Sequence, residues 1–442
     1  ELSRITKNVL VIDEAQDMNE DEFSLIEAVI RHNDDMRIIA VGDDDQSIYE
    51  FRHASPQYFK RLIREYGAMK YELVENFRSK SNLVDFTNQF VARIHHRLKE
   101  NPIIAKQTDN GKIKVVHYKS ENLIEPLVKD ILSAELRGSV CVLTYTNDEA
   151  LQVSGLLLKN GMPARLIQNN SEFCLLKLDE INFFLSRLHS VEDIFLIDDD
   201  VWDQAKRELQ SVFQNSSNIE SCLNLIRDFE TINPKRRYKS DLELFIRESK
   251  LNDFFGESGE TIFVSTIHKV KGKEFDHVFL MLNNFNLSSD ERIRQLYVAM
   301  TRARRELTIH LNSDFLDGLS SEAVEHIEDK NDYLPPEELA IHLTHRHIWL
   351  DYFINRQPQI AQLRSGDTLY VRGDECLDGN GQSVLKFSRN FMSEHYERLH
   401  RQGYELKRAM VNFIVYWQSE KAAKEIKIIL PELFFERKKI SE

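Results

Sequence analysis

The stretch VLVIDEAQD, Val9 to Asp17, decides the fold. A β-branched apolar run stops at two carboxylates, Asp13 and Glu14. That is the pattern of a buried parallel strand whose carboxyl end carries polar function. Outward from it, Phe23, Ile26 and Ile30 share one face of a helix predicted over Asp21 to Arg31. A second buried strand, Met36 to Val41, runs into Gly42-Asp43. Strand, helix and strand with function at the strand ends predict part of a doubly wound α/β domain. Strand signals for a second such domain fall at Ile113 to His117, Val140 to Thr144 and Ala164 to Gln168. They resume at Thr261 to Ser265, Val278 to Leu282 and Leu307 to His310.

Between about Glu172 and Phe255 the spacing turns helical and charged, which predicts an insertion within the second domain. After Glu328 the pattern breaks, and LPPEE (Leu334 to Glu338) reads as a linker. Beyond it the spacing predicts a helix over Ile341 to Phe353 and a β-like stretch over Gly366 to Leu385. A helical segment (Ser388 to Gln402) and strands at Met410 to Trp417 and Ile426 to Leu430 complete the chain.

The 442 residues suffice for two to four domains. A hydrophobic fraction of 42% marks an ordinary globular chain. Lys+Arg 58 against Asp+Glu 72 gives a net charge of −14, which argues against a protein that coats polyanions but leaves room for a local basic channel. Cys141, Cys174, Cys222 and Cys376 are scattered, so neither a disulfide framework nor a zinc module is expected, and a reducing, cytoplasmic setting is. No apolar run approaches membrane-spanning length, and ELSRITK lacks the apolar stretch of a signal peptide. A start at Glu, so close to the first motif, leads us to expect a piece of a longer chain.

The chemistry begins at Asp13, which can hold Mg²⁺ beside a nucleotide's phosphates, while Glu14 can orient the attacking water. A plain acidic helix N-terminus would need neither role. The next segment, VGDDDQSIYEFRHA (Val41 to Ala54), puts Gln46 and aromatic residues just after a strand end. Its three aspartates lack the spacing and terminal Glu of a calcium loop.

Together DEAQD and GDDDQSIYEFRHA resemble motifs II and III of UvrD/Rep-like superfamily 1 DNA helicases, although His53 stands where the family usually has glycine. ELVENFRSKSNLVDFTN (Glu72 to Asn88) resembles motif IV. VCVLTYTNDEA (Val140 to Ala150) resembles the strand-turn that opens the second motor domain. VSTIHKVKGKEFDHVFL (Val264 to Leu280) resembles motif V, and ERIRQLYVAMTRARREL (Glu291 to Leu307) motif VI. Alone, the last would be a helix with a solvated basic face. The ordered series from Val9 to His310 makes coincidence negligible.

The resemblance implies two RecA-like doubly wound parallel-sheet motor domains, the first incomplete, with a helical insertion and a small C-terminal α+β domain. The boundaries expected are 1–90 (first motor domain), 91–171 and 259–328 (second), 172–258 (a reduced 2B-like insertion) and 329–442 (accessory). It implies ATP and Mg²⁺ as cofactors, and single-stranded DNA or DNA junctions as partners, with 3′ to 5′ movement. Asp13 would serve the metal, Glu14 would be the base, and Gln46, Arg78 and Arg302 would sense the γ-phosphate. Phe77 would stack on adenine, and Glu274 would reach the ribose. Tyr49, Phe51, Asn147, Thr266 and His268 would contact DNA.

No segment fits the phosphate-binding GxxxxGK[ST] loop; Gly272-Lys273 is the nearest dipeptide, and Glu274 follows it. In the family this Walker A loop precedes motif II, so it is expected upstream of Glu1, with a RecQ-like helicase domain one neighbour in the parent chain. The isolated chain is then expected to be inactive. The rival reading is a non-hydrolysing module that binds DNA or protein. Retention of Asp13, Glu14, Arg78 and Arg302 favours the motor, because a binding module needs none of them. His342, His345 and His347 form a candidate metal cluster without a fourth ligand, and the aromatics of FIVYW (Phe413 to Trp417) and ILPELFFER (Ile429 to Arg437) read as core.

Overall fold

The computed structural model describes residues 7–33, 35–95, 97–166, 174–188, 196–249, 261–319, 324–418 and 425–438. The chain divides into two compact units, Glu1–Ala150 with Ile262–Pro335, and Leu151–Thr261 with Pro336–Glu442.

In the first unit, strands Val9–Ile12 and Arg37–Ala40 pair in parallel and in register, Val9 opposite Arg37. The helix between them, Glu20–Arg31, opens with a capping box in which Asn19 and Glu22 satisfy each other's backbone N–H groups. Ile12, Phe23, Tyr58 and Leu62 are buried together beneath this pair, with Leu10, Ile38 and Ala40 packed against them. The expectation of buried strands fails on the opposite face. Val9, Val11, Ile39 and Val41 are 49%, 62%, 45% and 47% exposed. Because side chains alternate along a strand, one face found a core and the other found no cover.

The same unit holds a larger parallel sheet. Six of its seven strands run in the order Val324–Asp329, Lys112–Tyr118, Ala303–Leu311, Phe275–Leu282, Val140–Thr144, Ile262–Thr266. Each neighbouring pair is parallel. Val140–Thr144 is buried throughout, as the continuous apolar run requires. The edge strand Val324–Asp329 gave no sequence signal, since VEHIED has no clean alternation. Both sheets are parallel within a mixed α/β fold, consistent with RecA-like domains.

In the second unit, helices Asp179–Arg187, Asp199–Val212, Ile219–Ile232 and Lys239–Glu248 gather around Trp202. Its indole meets Phe184 edge-on at 5.2 Å and Phe229 at 5.9 Å between ring centroids. The remainder is a six-stranded sheet in the order Glu338–His342, Ile426–Arg437, Tyr404–Trp417, Thr368–Arg372, Glu375–Leu377, Ser383–Lys386. All its pairings are antiparallel. The helix expected over Ile341 to Phe353 is not there. Glu338–His342 is an edge strand paired with Ile426–Arg437, and a short 3₁₀ segment, Leu350–Asn355, follows. A short apolar run fits either period, and here a partner strand settled it. Phe413 and Phe435 are buried.

Cys141, Cys222 and Cys376 are buried free thiols, and Cys174 is exposed. Among the described residues no helix is long and apolar enough to cross a membrane.

Candidate nucleotide and nucleic-acid site

The strand Val9–Ile12 delivers Asp13 and Glu14 to the surface, where Asp13 Oδ1 accepts the Glu14 N–H at 2.9 Å. Glu14 adopts a left-handed backbone (φ 50°, ψ 42°), a strained conformation for a residue with a Cβ. The buried Gln16 donates from Nε2 to Glu14 Oε2 at 2.5 Å and accepts the Asp43 N–H at 2.8 Å. A Cβ on Gly42 would lie 2.5 Å from that Gln16 oxygen, so glycine is what lets the second loop approach the first.

The three aspartates are explained by three residues that sequence reasoning missed. Arg97 donates two hydrogen bonds to the fully buried Asp45, at 2.8 and 2.7 Å. The Leu98 N–H donates to Asp44 at 2.7 Å, and Lys99 pairs with Asp43 at 2.6 Å. The Asp43, Asp44 and Asp45 carboxylates lie close enough together to hold a cation, but Arg97 and Lys99 already pair with Asp45 and Asp43. Asp43 also accepts from Gln46 Nε2 at 2.8 Å, which turns the Gln46 carbonyl toward Arg302.

Arg302 is almost wholly buried yet donates to four neutral acceptors. These are the Val298 and Lys273 carbonyls at 2.9 and 3.2 Å, Gln46 Oε1 at 3.0 Å and Thr301 Oγ1 at 3.1 Å. Among the described residues no carboxylate forms an ion pair with it. Burial pulls its pKa down to about 10, and the nearby charge of Arg78 pushes the same way, so the group stays protonated at neutral pH. Glu274 pairs with both Arg78 and Arg304, and those contacts hold its carboxyl below the usual range. Sheet register accounts for the Arg304 contact: Ala303 is opposite Phe275, which brings Arg304 beside Glu274 at the amino ends of adjacent strands.

Phe77 is 70% exposed, beside Arg78. Tyr49 donates to the His268 carbonyl at 3.2 Å, and its ring has Lys271 at 5.2 Å and Arg52 at 5.9 Å from the centroid. Burial lowers the His268 pKa below the ordinary imidazole value, and Lys269 adds to the effect. Lys269 donates to Asn147 Oδ1 at 2.7 Å, which places Asn147 beside the same loop. Thr266 is buried at the end of strand Ile262–Thr266. The Phe51 side chain lies outside the described residues. Lys271, which also went unnoticed in the sequence, pairs with Asp17 and lies 3.5 Å from Glu14 Oε2. Of the three histidines weighed for a metal, His342 pairs with Glu432 at 3.0 Å and His347 packs edge-on against His395. They do not form a ligand cluster among the described residues.

Comparison with known proteins identifies the family. The model of the UvrD-like helicase C-terminal domain matches residues 71–192 and 192–314, and that of the UvrD/REP helicase N-terminal domain matches 3–67. The chain belongs to the UvrD/Rep-like superfamily 1 helicase family. It is 26% identical over 402 residues to an ATP-dependent DNA helicase Rep of Buchnera aphidicola, covering 67% of this chain and 62% of that protein. Gabija protein GajB of Bacillus cereus is 22% identical over 333 residues, with 71% and 66% covered. The RecBCD enzyme subunit RecB of Chlamydia pneumoniae is 24% identical over 417 residues, with 77% and 39% covered. The chain thus spans about two thirds or less of the length of these relatives.

Proposed function

We propose that this chain is the carboxy-terminal motor portion of an ATP-dependent DNA helicase or translocase that moves 3′ to 5′ on single-stranded DNA. Residues 1–90 and 91–171 with 259–328 would form the two RecA-like motor domains, 172–258 the helical insertion and 329–442 an accessory domain. The observation that carries the reading is Arg302, a buried guanidinium that among the described residues donates only to neutral acceptors and is linked through Gln46, Asp43 and Gln16 to Glu14. Such a cation suits an anionic ligand, and a triphosphate gives it a partner when bound.

The residues fit ATP and Mg²⁺. The exposed Asp13 would hold the metal, whose charge neutralises phosphate oxygens. Glu14 would orient the attacking water, and Arg302, with Arg78 once released from Glu274, would stabilise charge on the γ-phosphate. Glu274 is then free for the ribose, and the exposed Phe77 ring for adenine. DNA would be held by Tyr49, Phe51, Asn147, Thr266 and His268. The Walker A loop would come from outside these 442 residues. Parallel sheets are ordinarily covered on both faces, so the exposed row Val9, Val11, Ile39 and Val41 supports an outside layer there.

The test is Arg302→Ala in the full-length parent protein. DNA-stimulated ATP turnover should fall roughly a thousandfold, as loss of an arginine finger typically costs. A near-normal rate would refute the assignment.

A further inference from the structure

Lys271 has no role in the reading above, yet it is tied directly to the acid pair of the first site. Its side chain is 7% exposed, a depth at which an ammonium needs anionic partners. Two carboxylates supply them. Lys271 pairs with Asp17 and its Nζ lies 3.5 Å from Glu14 Oε2. Below the ammonium lies the Tyr49 ring, 5.2 Å away at the centroid. The Tyr49 hydroxyl in turn holds the His268 carbonyl, three residues back along the loop that carries Lys271. The lysine is thus fixed from below by an aromatic ring and from one side by Asp17.

Glu14 is fixed less firmly. Its side chain is 58% exposed, its backbone is left-handed, and besides Lys271 its carboxylate holds only the Gln16 carboxamide among the described contacts. A carboxylate that must aim one water needs a defined orientation, since an error of about an ångström costs on the order of a hundredfold in rate. Gln16 and Lys271 both approach Glu14 Oε2, leaving Oε1 as the oxygen free to face the reacting water.

We propose that Lys271 is a positioning residue for ATP hydrolysis, which clamps Oε2 of Glu14 from the second sheet's loop and so aims the remaining oxygen. This rests on the reading of Glu14 as the water-orienting base. Because the loop also carries His268, the clamp closes only when that loop is seated against Tyr49, so nucleic acid bound at the loop would reach the hydrolytic carboxylate through one side chain.

The experiment is steady-state ATP hydrolysis by the full-length parent protein with saturating oligo(dT), for Lys271→Met, Lys271→Arg and Tyr49→Phe. Lys271→Met should lower kcat about tenfold or more, with KM for ATP and affinity for oligo(dT) within twofold of the parent. Lys271→Arg should recover most of the loss. Tyr49→Phe, which keeps the ring and loses only the hydroxyl, should lower kcat severalfold, and should add nothing in the Lys271→Met background. A merely structural lysine would instead lower the melting temperature and move KM and kcat together. An unchanged kcat in Lys271→Met, or additive losses in the double variant, overturns the inference while Glu14→Gln remains inactive. If Glu14→Gln itself turns over ATP normally, the reading of the site falls and the inference with it.

Discussion

Replacing Arg97 with alanine removes the bidentate partner of Asp45, whose side chain is fully buried. Two charge-assisted bonds, at 2.8 and 2.7 Å, are lost while the carboxylate stays inside. Removing one member of a buried pair typically costs 3–5 kcal/mol, because the other charge is left uncompensated. Lys99 remains 3.6 Å from Asp45 and offsets part of this, so the expected loss is about 3 kcal/mol. In a unit of this size that corresponds to a fall of roughly 6–12 °C in the melting transition. Arg97→Lys keeps the charge but not the fork, and should cost about 1 kcal/mol. The double variant Arg97→Met with Asp45→Leu should recover much of the loss, since apolar groups of similar volume leave no charge buried. The assay is thermal unfolding of the full-length protein, followed by hydrogen exchange across residues 93–106 to locate the change. A fall of less than about 1 kcal/mol for Arg97→Ala would refute the clamp as the reason for the aspartate triplet.

Two further outcomes follow from buried contacts. His310 is fully buried against Tyr118 at 2.8 Å and Asp130 at 3.2 Å, with Lys114 on the other Asp130 oxygen. Burial pushes its imidazole below the ordinary value of 6.5, with Asp130 opposing. The unfolded chain therefore takes up the proton first, and this contribution to stability is full above about pH 6.5 and is lost as pH falls through the lower folded value. Melting temperature should drop on going from pH 8 to 5.5, and His310→Gln should flatten that slope; an identical slope in the variant would contradict it. Gly155, in helix Asn147–Lys159, faces the Ala340 carbonyl so closely that a Cβ would lie 2.2 Å from the oxygen. Gly155→Ala should therefore destabilise by about 1–3 kcal/mol despite its better helix propensity, and a gain in melting temperature would disprove the close packing.

The parts legible in the sequence were those with long-range periodicity or a strand running into polar residues. Strands Val140–Thr144 and Ile262–Thr266 lie where the apolar runs put them, within a residue. What failed depended on a partner the local pattern does not encode. Glu338–His342 became a strand because Ile426–Arg437 offered it an edge. Val9 and Val11 are exposed because the local pattern specifies an apolar face and not what covers it. The site was legible as residue types but not as contacts. The carboxyl ends of strands carry Asp13 and Glu14, yet Glu274 pairs with Arg304 at the amino ends of two adjacent strands, which only the register reveals. Lys271 stands beside Gly272-Lys273 with no local pattern to mark it, because its partners Glu14 and Asp17 are remote in the sequence.

The central claim is that Glu14 is the hydrolytic carboxylate of a DNA-stimulated motor, and one rate measurement tests it. ATP turnover by the full-length parent protein should rise on adding single-stranded DNA. Glu14→Gln, which keeps size and hydrogen bonding but removes the base, should abolish that turnover while leaving nucleotide binding intact. Wild-type turnover that DNA does not stimulate, or a Glu14→Gln protein that hydrolyses ATP at the parent rate, would contradict the account.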